Sequence, residues 1–226
     1  MDEKVVIAKR VALEMKSGTL VNLGIGLPTT VANYLAPGLD VYFQSENGIV
    51  GLSSAPDNGM VDPTLTDAGG GFVGAIPGAA SIDSAVSFGL IRGGHLDVTV
   101  LGGLEVDELG HLANWTVPGK MIPGMGGAMD LVSGAKKVIV AMQHTAKGKS
   151  KILKRCTLPL TSVRRVNLVV TELAVLEPTD AGLVLKETAP GVTVEQVIAA
   201  SEATIIVPEK VGVMPISEGE AAGARA

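Results

Sequence analysis

Short aliphatic runs, rich in Val, Ile and Leu, alternate along this chain with segments whose apolar residues follow a helical spacing. Hydrophobic residues make up 46% of the sequence and aromatic residues only 3%. The core is therefore built from small aliphatic side chains, the usual filling of a buried parallel sheet under helices. The runs that predict strands are 19–23, 41–43, 97–101, 138–142, 166–170 and 204–207. This alternation predicts an α/β fold with an open, mostly parallel sheet flanked by helices.

The helices are predicted from capping residues and from apolar spacing. Asp2 caps a first helix whose residues Ile7, Val11 and Met15 share one face, and Thr193 caps a last helix. Further helices are predicted at 30–35, 81–91 and 126–132, and hairpins at 104–115 and 174–185. With 226 residues, we expect a single domain over residues 1–217 and a disordered tail over residues 218–226.

The composition limits the partners that the chain can have. A formal net charge of −5 and a pI near 5.2 argue against nucleic acid, which needs a basic face. The single cysteine, Cys156, excludes an intramolecular disulfide and fits a reducing compartment. No apolar run is long enough to span a membrane, and the first residues do not form a signal peptide. We therefore expect a cytoplasmic protein with no membrane partner.

One acidic residue lies where a fold of this class binds its ligands. The strand at 41–43 runs into a tight turn at Asn47 and Gly48, so Glu46 lies at the carboxyl end of the strand. Ligands of open α/β sheets bind at that edge, and a carboxylate held there can act as a nucleophile. A Glu before Asn-Gly is more often a solvated turn residue. These residues alone therefore leave both interpretations open.

Residues 43–51, FQSENGIVG, resemble the active-site signature of the family I 3-oxoacid coenzyme A transferases, in their B (beta) chains. The resemblance continues along the chain in the order of the family. Its other segments are 22–28, 91–95, 112–115, 118–121, 124–130 and 156–161. The chain departs from the family at Asp67, where relatives generally carry Asn before Ala-Gly. The resemblance predicts the coenzyme A transferase fold and activity.

The resemblance implies that Glu46 is the catalytic nucleophile. In the family, this Glu attacks the carbonyl of an acyl-CoA thioester and forms a mixed anhydride. It then carries coenzyme A as a glutamyl thioester until a second carboxylic acid reverses the steps. Coenzyme A is a substrate in this mechanism, which requires neither a metal nor a redox cofactor. We therefore expect no cofactor and no metal site.

Donors for the negative charge that forms during each attack are implied by the same resemblance. Each attack makes a tetrahedral oxyanion, which needs hydrogen-bond donors in a site that excludes water. Asn22 is implied as one donor, and the backbone N–H of Gly127, at the start of a predicted helix, as another. Gly126 and Asn47 are predicted to belong to the same oxyanion and substrate site.

Glycines and irregular loops are expected to complete the site. Gly24 and Gly26 follow the first strand, and we predict that they contact coenzyme A, because glycine lets a ligand approach the backbone closely. The loops at 52–71 and 115–125 are rich in Pro and Gly. We expect them to cover the anhydride, since water would hydrolyse it.

The resemblance also implies a partner chain. Relatives build the active site from two homologous halves, fused or separate, and this chain matches only the B half. We therefore expect it to be inactive alone and to work as a hetero-oligomer with a homologous A (alpha) subunit. The expected reaction moves coenzyme A between a short 3-oxo acid, such as acetoacetate, and an acyl-CoA such as succinyl-CoA, acetyl-CoA or butyryl-CoA. A 3-oxoadipate transferase, an acyl-CoA hydrolase and a non-catalytic binding module on the same fold stay open as alternatives.

The remaining candidate residues are assigned ordinary structural roles. His95, His111 and His144 have no metal-ligand spacing, so polar or capping roles are favoured over catalysis. Trp115 is predicted to pack at an interface. Cys156 is interpreted as a small buried hydrophobe rather than a nucleophile.

Overall fold

The computed structural model describes residues 1–56, 60–119 and 125–216. The helices are α1 (Glu3–Ala12), α2 (Ser84–Arg92), α3 (Ala128–Gly134) and α4 (Val194–Ala200), with a 3₁₀ helix at Leu27–Tyr34. The strands are β1 (Thr19–Leu23), β2 (Val41–Ser45), β3 (Ile49–Ser54), β4 (Val73–Ser81), β5 (Val98–Gly102), β6 (Glu105–Asp107), β7 (Leu112–Ala113), β8 (Lys137–Ala141), β9 (Thr145–Ala146), β10 (Lys149–Ser150), β11 (Ile152–Leu153), β12 (Leu168–Val170), β13 (Ala174–Thr179), β14 (Gly182–Thr188), β15 (Ile205–Ile206) and β16 (Gly212–Val213). The predicted tail at 218–226 and residues 120–124, which fall in two of the resembling motifs, lie outside the described residues.

Most of the strands form one sheet, in the order β15-β14-β13-β12-β8-β5-β1-β2-β3-β4, with β16 beside β14. The centre of this sheet, from β12 to β2, is parallel. Antiparallel strands flank the centre on both sides: β13 and β14 beside β12, and β3 and β4 beside β2. Two small sheets, β11-β6-β7 and β10-β9, accompany it. The predicted α/β fold with an open, mostly parallel sheet in one domain is confirmed.

Alternate residues of the central strands belong to two different cores. In β8, Val138 and Val140 lie in one core with side chains of α2, α3 and α4. Ile139 and Ala141 lie in the other, with side chains of α1 and the 3₁₀ helix. Because both faces of the strand are covered, the whole run is apolar, as the sequence pattern predicts. None of the helices in the described part of the chain has the length and apolar character needed to cross a membrane.

An ion-pair network fixes α1 to the sheet in addition to its apolar face. Arg10 is only 7% exposed. Its Nε and Nη2 donate to the carboxylate of Glu187, in β14, at 2.6 and 2.9 Å, and its Nη1 donates to Glu14 at 2.7 Å. Lys137, the first residue of β8, donates to the other oxygen of Glu14 at 2.5 Å. The network therefore joins the first helix to two strands that are far from it in sequence.

The sheet edge beside β2 differs from the prediction. The sequence predicts a loop at 52–71 and a helix at 81–91. In the structure, β3 continues to Ser54, residues 73–81 form β4, which was not predicted, and α2 begins only at Ser84. Asp83 is the capping residue, and its side chain accepts a hydrogen bond from the N–H of Val86 at 2.8 Å. The strand β4 was missed because it consists mainly of Gly, Ala and Pro, and such a strand gives no alternation of apolar and polar residues.

Candidate active site

The sheet has a topological switch point beside β1. The chain leaves β1 for β2 on one side, and it later reaches β5, on the other side of β1, through α2. Open α/β sheets bind their ligands in the crevice outside the carboxyl ends of such strands. Asn22 is the penultimate residue of β1, Glu46 directly follows β2, and Gly102 ends β5. The switch point therefore brings the predicted nucleophile and a predicted donor to one edge of the sheet.

Asn22 holds the carboxylate of Glu46. The Nδ2 of Asn22 donates to Glu46 Oε2 at 3.0 Å. Asn22 is 0% exposed, whereas Glu46 is half-buried. The carboxylate therefore lies at the boundary between the polar interior of the sheet edge and the space outside it.

Gly127 lies against the other side of this carboxylate. A Cβ atom placed on Gly127 would be 3.1 Å from Glu46 Cγ and 3.2 Å from Glu46 Oε1. Gly127 is also the N-cap residue of α3, so the chain passes from the carboxylate directly into a helix. Gly126, just before it, has a φ of +51°, in the region that favours glycine. The absence of a side chain at Gly127 thus lets the backbone approach Glu46.

A cleft of about 360 Å³ opens beside Glu46. Its walls come from the loop after β1, the end of β5, the segment after β7 and the start of α3. The lining residues are Gly24, Ile25, Glu46, Leu101, Gly102, Gly103, Leu104, Asn114, Trp115, Met125, Gly126, Gly127, Ala128 and Leu131. Among these described residues, Glu46 is the only ionisable side chain. Trp115, which the sequence assigns to an interface, lies in the wall of this cleft.

The turn after Glu46 is fixed to the start of α2. Gly48 has a φ of +124°, and a Cβ atom there would lie only 2.1 Å from the carbonyl oxygen of Ile82. The N–H of Ile82 donates to the carbonyl of Gly48 at 2.8 Å. Asn47 donates from Nδ2 to the carbonyl of Thr66 at 2.7 Å, so its amide contacts the loop between β3 and β4. Only glycine fits at residue 48, which explains the Asn-Gly sequence of this turn.

The two glycines predicted to contact coenzyme A have different surroundings. Gly24 lines the cleft, its N–H donates to the carbonyl of Val100 at 2.8 Å, and a Cβ atom there would lie 3.1 Å from the same oxygen. Gly26 has a φ of +90° and directly precedes the 3₁₀ helix, outside the residues that line the cleft. The structure therefore brings Gly24, but not Gly26, into the wall beside Glu46.

Several polar side chains at this site were missed in the sequence analysis. Asn114 donates from Nδ2 to the carbonyl of Gly102 at 3.1 Å, and Lys151 donates from Nζ to the carbonyl of Gly103 at 2.8 Å. These bonds hold the end of β5, which forms one wall of the cleft. Asn114 belongs to a resembling motif, which was a usable signal, whereas no local pattern connects Lys151 with a residue 48 positions earlier.

Gln44 and Ser87 were also missed, although they lie directly behind Asn22. Gln44 Oε1 accepts from Asn22 Nδ2 at 3.0 Å, and Gln44 Nε2 donates to Ser87 Oγ at 2.9 Å. Both residues are buried. For Gln44 the sequence held a signal, because this residue lies in the resembling motif at 43–51 and a buried amide requires hydrogen-bond partners.

Asp67, where the chain departs from the family, closes its own turn. Its Oδ1 accepts from the N–H groups of Gly69 and Gly71 at 2.8 and 2.9 Å. The next residue, Ala68, donates from its N–H to Ser45 Oγ at 2.9 Å, which ties the turn to β2. The amide oxygen of an asparagine can accept the same two bonds. The substitution therefore leaves the hydrogen bonds of the turn in place.

His111, His144 and Cys156, which were assigned structural roles, lie in hydrogen-bonded positions outside the cleft, and His95 is exposed outside it. His144 is fully buried between the hydroxyls of Thr171 and Ser201, at 2.9 Å each, and burial lowers its pKa to about 4. His111 Nδ1 lies 3.1 Å from Asp107 Oδ2. Burial raises the pKa of the Cys156 thiol to about 12, so its reactive thiolate form is disfavoured at neutral pH. No group of three metal-ligating side chains is present within residues 1–56, 60–119 and 125–216.

A larger hollow of about 610 Å³ lies between the 3₁₀ helix and strands β2 to β4. It is lined largely by apolar and backbone groups, including Phe43, Leu52 and Ile76, and it does not include Glu46. The predicted nucleophile and its predicted donors therefore lie at the smaller cleft, at the carboxyl ends of the strands.

An ionisable carboxylate that is held by an amide donor, faces a glycine backbone and borders an apolar cleft is suited to acyl transfer by an α/β enzyme. A family model described as coenzyme A transferase matches residues 4–200. The chain therefore belongs to the coenzyme A transferase family, and the family predicted from the sequence motifs is confirmed.

Known proteins that resemble this chain carry the same activity in their names. The beta chain of an acetate CoA-transferase from Haemophilus influenzae is 56% identical over 220 residues, which cover 96% of this chain and 98% of that protein. The B chain of a succinyl-CoA:3-ketoacid coenzyme A transferase from Helicobacter pylori is 52% identical over 198 residues, which cover 87% and 95% of the two chains. The solved structure of an acyl-CoA transferase from Escherichia coli O157:H7 has a TM-score of 0.75 at 23% identity. That match covers 94% of this chain but only 43% of the other, longer chain. The present chain is thus an enzyme subunit of the beta type.

Proposed function

We propose that this subunit transfers coenzyme A from an acyl-CoA to a short carboxylic acid through a covalent thioester on Glu46. The observation that carries the proposal is the Glu46 carboxylate, which accepts a hydrogen bond from Asn22 at 3.0 Å and lies against the Gly127 backbone at the cleft. Family membership supports transfer of coenzyme A as the reaction class. The covalent step follows from the chemistry that a carboxylate in this position can perform.

The proposed reaction begins with attack of a Glu46 carboxylate oxygen on the thioester carbonyl of the acyl-CoA. The new C–O bond forms as the C–S bond breaks, which gives an acyl-glutamyl anhydride and coenzyme A thiolate. The thiolate then attacks the Glu46 carbonyl carbon, and the first carboxylate leaves as its C–O bond breaks. A second carboxylate attacks the resulting Glu46 thioester and receives coenzyme A by the same steps in reverse.

The hydrogen bond from Asn22 suggests a division of work between the two oxygens of Glu46. Because Asn22 donates to Oε2, we assign Oε1, on the Gly127 side, as the attacking oxygen. Oε2 then becomes the carbonyl oxygen of the anhydride and of the thioester. Each later attack on Glu46 places negative charge on Oε2, where the N–H of Asn22 is already positioned. The N–H of Gly127 is proposed as a second donor.

The described walls of the cleft favour a short monocarboxylic acid as substrate. Among the lining residues that the structure describes, there is no Lys, Arg or His that would pair with a second carboxylate. The side chains of Ile25, Leu104 and Met125 instead offer apolar contact. We therefore propose acetate, acetoacetate or butyrate in preference to succinate or 3-oxoadipate for the acyl group seated against this chain. The acetate transferase chain that is 56% identical is in line with this choice.

A homologous A subunit is proposed as the partner that completes the site. The two relatives are named as the beta and B chains of their enzymes, which implies a second kind of chain in each. The matched acyl-CoA transferase structure is more than twice as long as the segment that this chain matches. We propose that the chain is inactive alone, that it works as a hetero-oligomer, and that turnover requires no cofactor.

The decisive experiment is intact-mass spectrometry of the complex co-expressed with its A subunit. After incubation with acetoacetyl-CoA, we expect a coenzyme A adduct on this chain, which borohydride reduces to an alcohol at residue 46. Glu46→Gln is expected to form no adduct and to lower kcat on the order of 10³-fold or more, as loss of a nucleophile does. Glu209→Gln, which changes an exposed carboxylate outside the cleft, is the matched control and is expected to keep both.

Two further measurements on the same complex separate the alternatives. Discharge of the adduct by acetate faster than by succinate is expected for a monocarboxylate site, and the reverse order would contradict that assignment. Release of free thiol without an acceptor acid, at the rate of turnover, would identify a hydrolase. A complex that turns over without any adduct would overturn the covalent mechanism.

A further inference from the structure

A row of buried polar side chains crosses the centre of the apolar sheet behind Glu46. Gln44 of β2, Asn22 of β1 and Thr99 of β5 are direct neighbours in the strand register. Their exposed fractions are 2%, 0% and 0%, and Ser87, on the face of α2 above them, is also 0% exposed. Polar groups in such a place are unfavourable unless they are hydrogen-bonded. Their arrangement therefore requires an explanation beyond packing.

Three of these residues form a chain of hydrogen bonds that ends at Glu46. Ser87 Oγ accepts from Gln44 Nε2 at 2.9 Å. Asn22 Nδ2 donates to Gln44 Oε1 at 3.0 Å, to the Gln44 carbonyl at 3.2 Å and to Glu46 Oε2 at 3.0 Å. Glu46 is thus connected to α2 through two amide side chains.

This chain of hydrogen bonds controls the orientation of the Asn22 amide. The observed orientation leaves Asn22 Oδ1 buried without a partner among the described residues. A carboxamide turned by half a rotation would instead direct Oδ1 at the two oxygens of Gln44 and at the Glu46 carboxylate, which is a repulsive arrangement. The oxygens of Gln44 therefore favour the orientation in which the NH₂ group faces Glu46.

This control matters most when Glu46 carries coenzyme A. The free carboxylate attracts the Asn22 NH₂ group by its own charge, but an anhydride or thioester on Glu46 is neutral and attracts it less. Gln44 keeps the same two acceptors throughout the reaction. We propose that Gln44, braced by Ser87, is a positioning residue that keeps the Asn22 NH₂ group directed at Glu46 in the covalent intermediates. The inference rests on the proposed function only in taking Glu46 as the nucleophile.

The test is Gln44→Met in the complex with the A subunit, because methionine has a similar length and lacks the amide. We expect kcat to fall about 10- to 100-fold, the range for a misplaced catalytic group, while KM changes less than about 3-fold. Discharge of the isolated Glu46–CoA intermediate by acetate should slow by the same factor as kcat. A loss of fold would lower all signals together with the yield of complex, so the kcat and KM values are taken per folded complex.

Ser87→Ala provides a second and milder variant. We expect a decrease in kcat of about 3- to 10-fold on its own and no additional decrease in the Gln44→Met background, because residues of one network are not additive. Thr99→Val is the matched control, since it removes a buried hydroxyl from the same row that has no partner among the described residues. Its kcat is expected to stay within about 2-fold of the unmodified complex.

Unchanged kcat in Gln44→Met, an effect confined to KM, additive losses in the double variant, or an equal loss in Thr99→Val would each overturn the inference. Failure of the covalent mechanism gives a different result. In that case the unmodified complex turns over without an adduct on Glu46, which removes the premise of the inference whatever the kcat of Gln44→Met.

Discussion

The two halves of the sheet differ in how completely their residues are buried within this chain. Strands β8, β12, β13 and β14 are buried along most of their length. On the other side, most of β4 is exposed or half-exposed, and Tyr42 and Phe72 are 48% and 55% exposed. Glu46 lies where the two sides meet. The half of the sheet with β8, β12, β13 and β14, the packed half, is therefore buried within this chain. The edge beside β2 leaves side chains available for contact with another molecule.

The polar groups follow the same division. In the packed half, Arg10 and its two carboxylates satisfy one another. Among the described residues, the buried side-chain atoms without a hydrogen-bond partner are Asn22 Oδ1, Thr99 Oγ1 and Thr116 Oγ1, and none of them lies in β8, β12, β13 or β14. Native structures contain few such atoms. Their position on and beside the strands of the cleft shows that the polar groups of this edge are less completely hydrogen-bonded than those of β8, β12, β13 and β14.

Arg10→Met gives the largest expected effect and tests the packed half. It leaves Glu187 and Glu14 without the guanidinium, and loss of one partner from a buried ionic network destabilises by about 3 to 5 kcal/mol. We expect urea unfolding to show a decrease at the lower end of that range, with kcat per folded complex unchanged. Lys136→Met, which breaks an exposed pair with Asp97, is the matched control, with an expected change below about 1 kcal/mol. Equal effects of the two substitutions would contradict the distinction between the two halves.

The second prediction concerns acid and the buried imidazole of His144. Burial lowers its pKa in the folded protein to about 4, whereas an unfolded histidine has a pKa near 6.5. The unfolded chain therefore binds the proton first, so stability is highest above pH 6.5 and decreases as the pH falls towards 4. The loss reaches about 3 kcal/mol at the lower limit. Urea unfolding between pH 7 and 5 measures it.

Two variants identify the source of that slope. His144→Gln is expected to flatten the dependence of the unfolding free energy on pH. His95→Gln, which changes an exposed histidine, is expected to leave this dependence unchanged. Glu14 contributes a second loss of stability, at lower pH. Burial alone would raise the pKa of Glu14, but hydrogen bonds from Lys137 and Arg10 bring it below its ordinary value. Its contribution is therefore present above pH 4.5 and is lost only below it. A slope between pH 7 and 5 that persists in His144→Gln would contradict the assignment.

Gly127→Ala has the smallest expected effect of the three substitutions and tests the edge of the sheet that carries Glu46. The added Cβ atom would lie 3.1 to 3.2 Å from Glu46, so the carboxylate must shift by a few tenths of an ångström. We expect kcat to fall about 10-fold while the free energy of unfolding stays within about 0.5 kcal/mol. Gly89→Ala is the control: there is open space at Gly89 in α2, and we expect a gain of up to about 1 kcal/mol with unchanged kcat. A lower free energy of unfolding for Gly127→Ala together with an unchanged kcat would contradict this assignment of Gly127 to the catalytic edge.

Elements with local signals could be predicted from the sequence. The first strand was predicted at 19–23 and is observed at Thr19–Leu23, and the predicted caps Asp2 and Thr193 both accept hydrogen bonds at helix starts. The hairpin predicted at 174–185 is formed by β13 and β14. In each case, the residues that determine the structure lie within a few positions of one another. The strands β3 and β4 lack such a signal, because they pair across a long connection and contain many small residues.

The site shows the same limit. Glu46, Asn22 and Gly127 could be named because they lie in motifs, and the structure brings all three together. The bond between Gln44 and Ser87 joins residues that are 43 positions apart, and neither belongs to a pattern that predicts the other. Contacts of this kind depend on how α2 lies on the sheet, and only the folded chain provides that information.

The close contact at Gly48 has a mechanical consequence. Gly48 and Ile82 join the turn after β2 to the start of α2 through one hydrogen bond and a separation that admits no side chain. Gln44 and Ser87 span the same two elements a short distance away. We therefore expect a displacement of α2 to move the turn that carries the nucleophile as well.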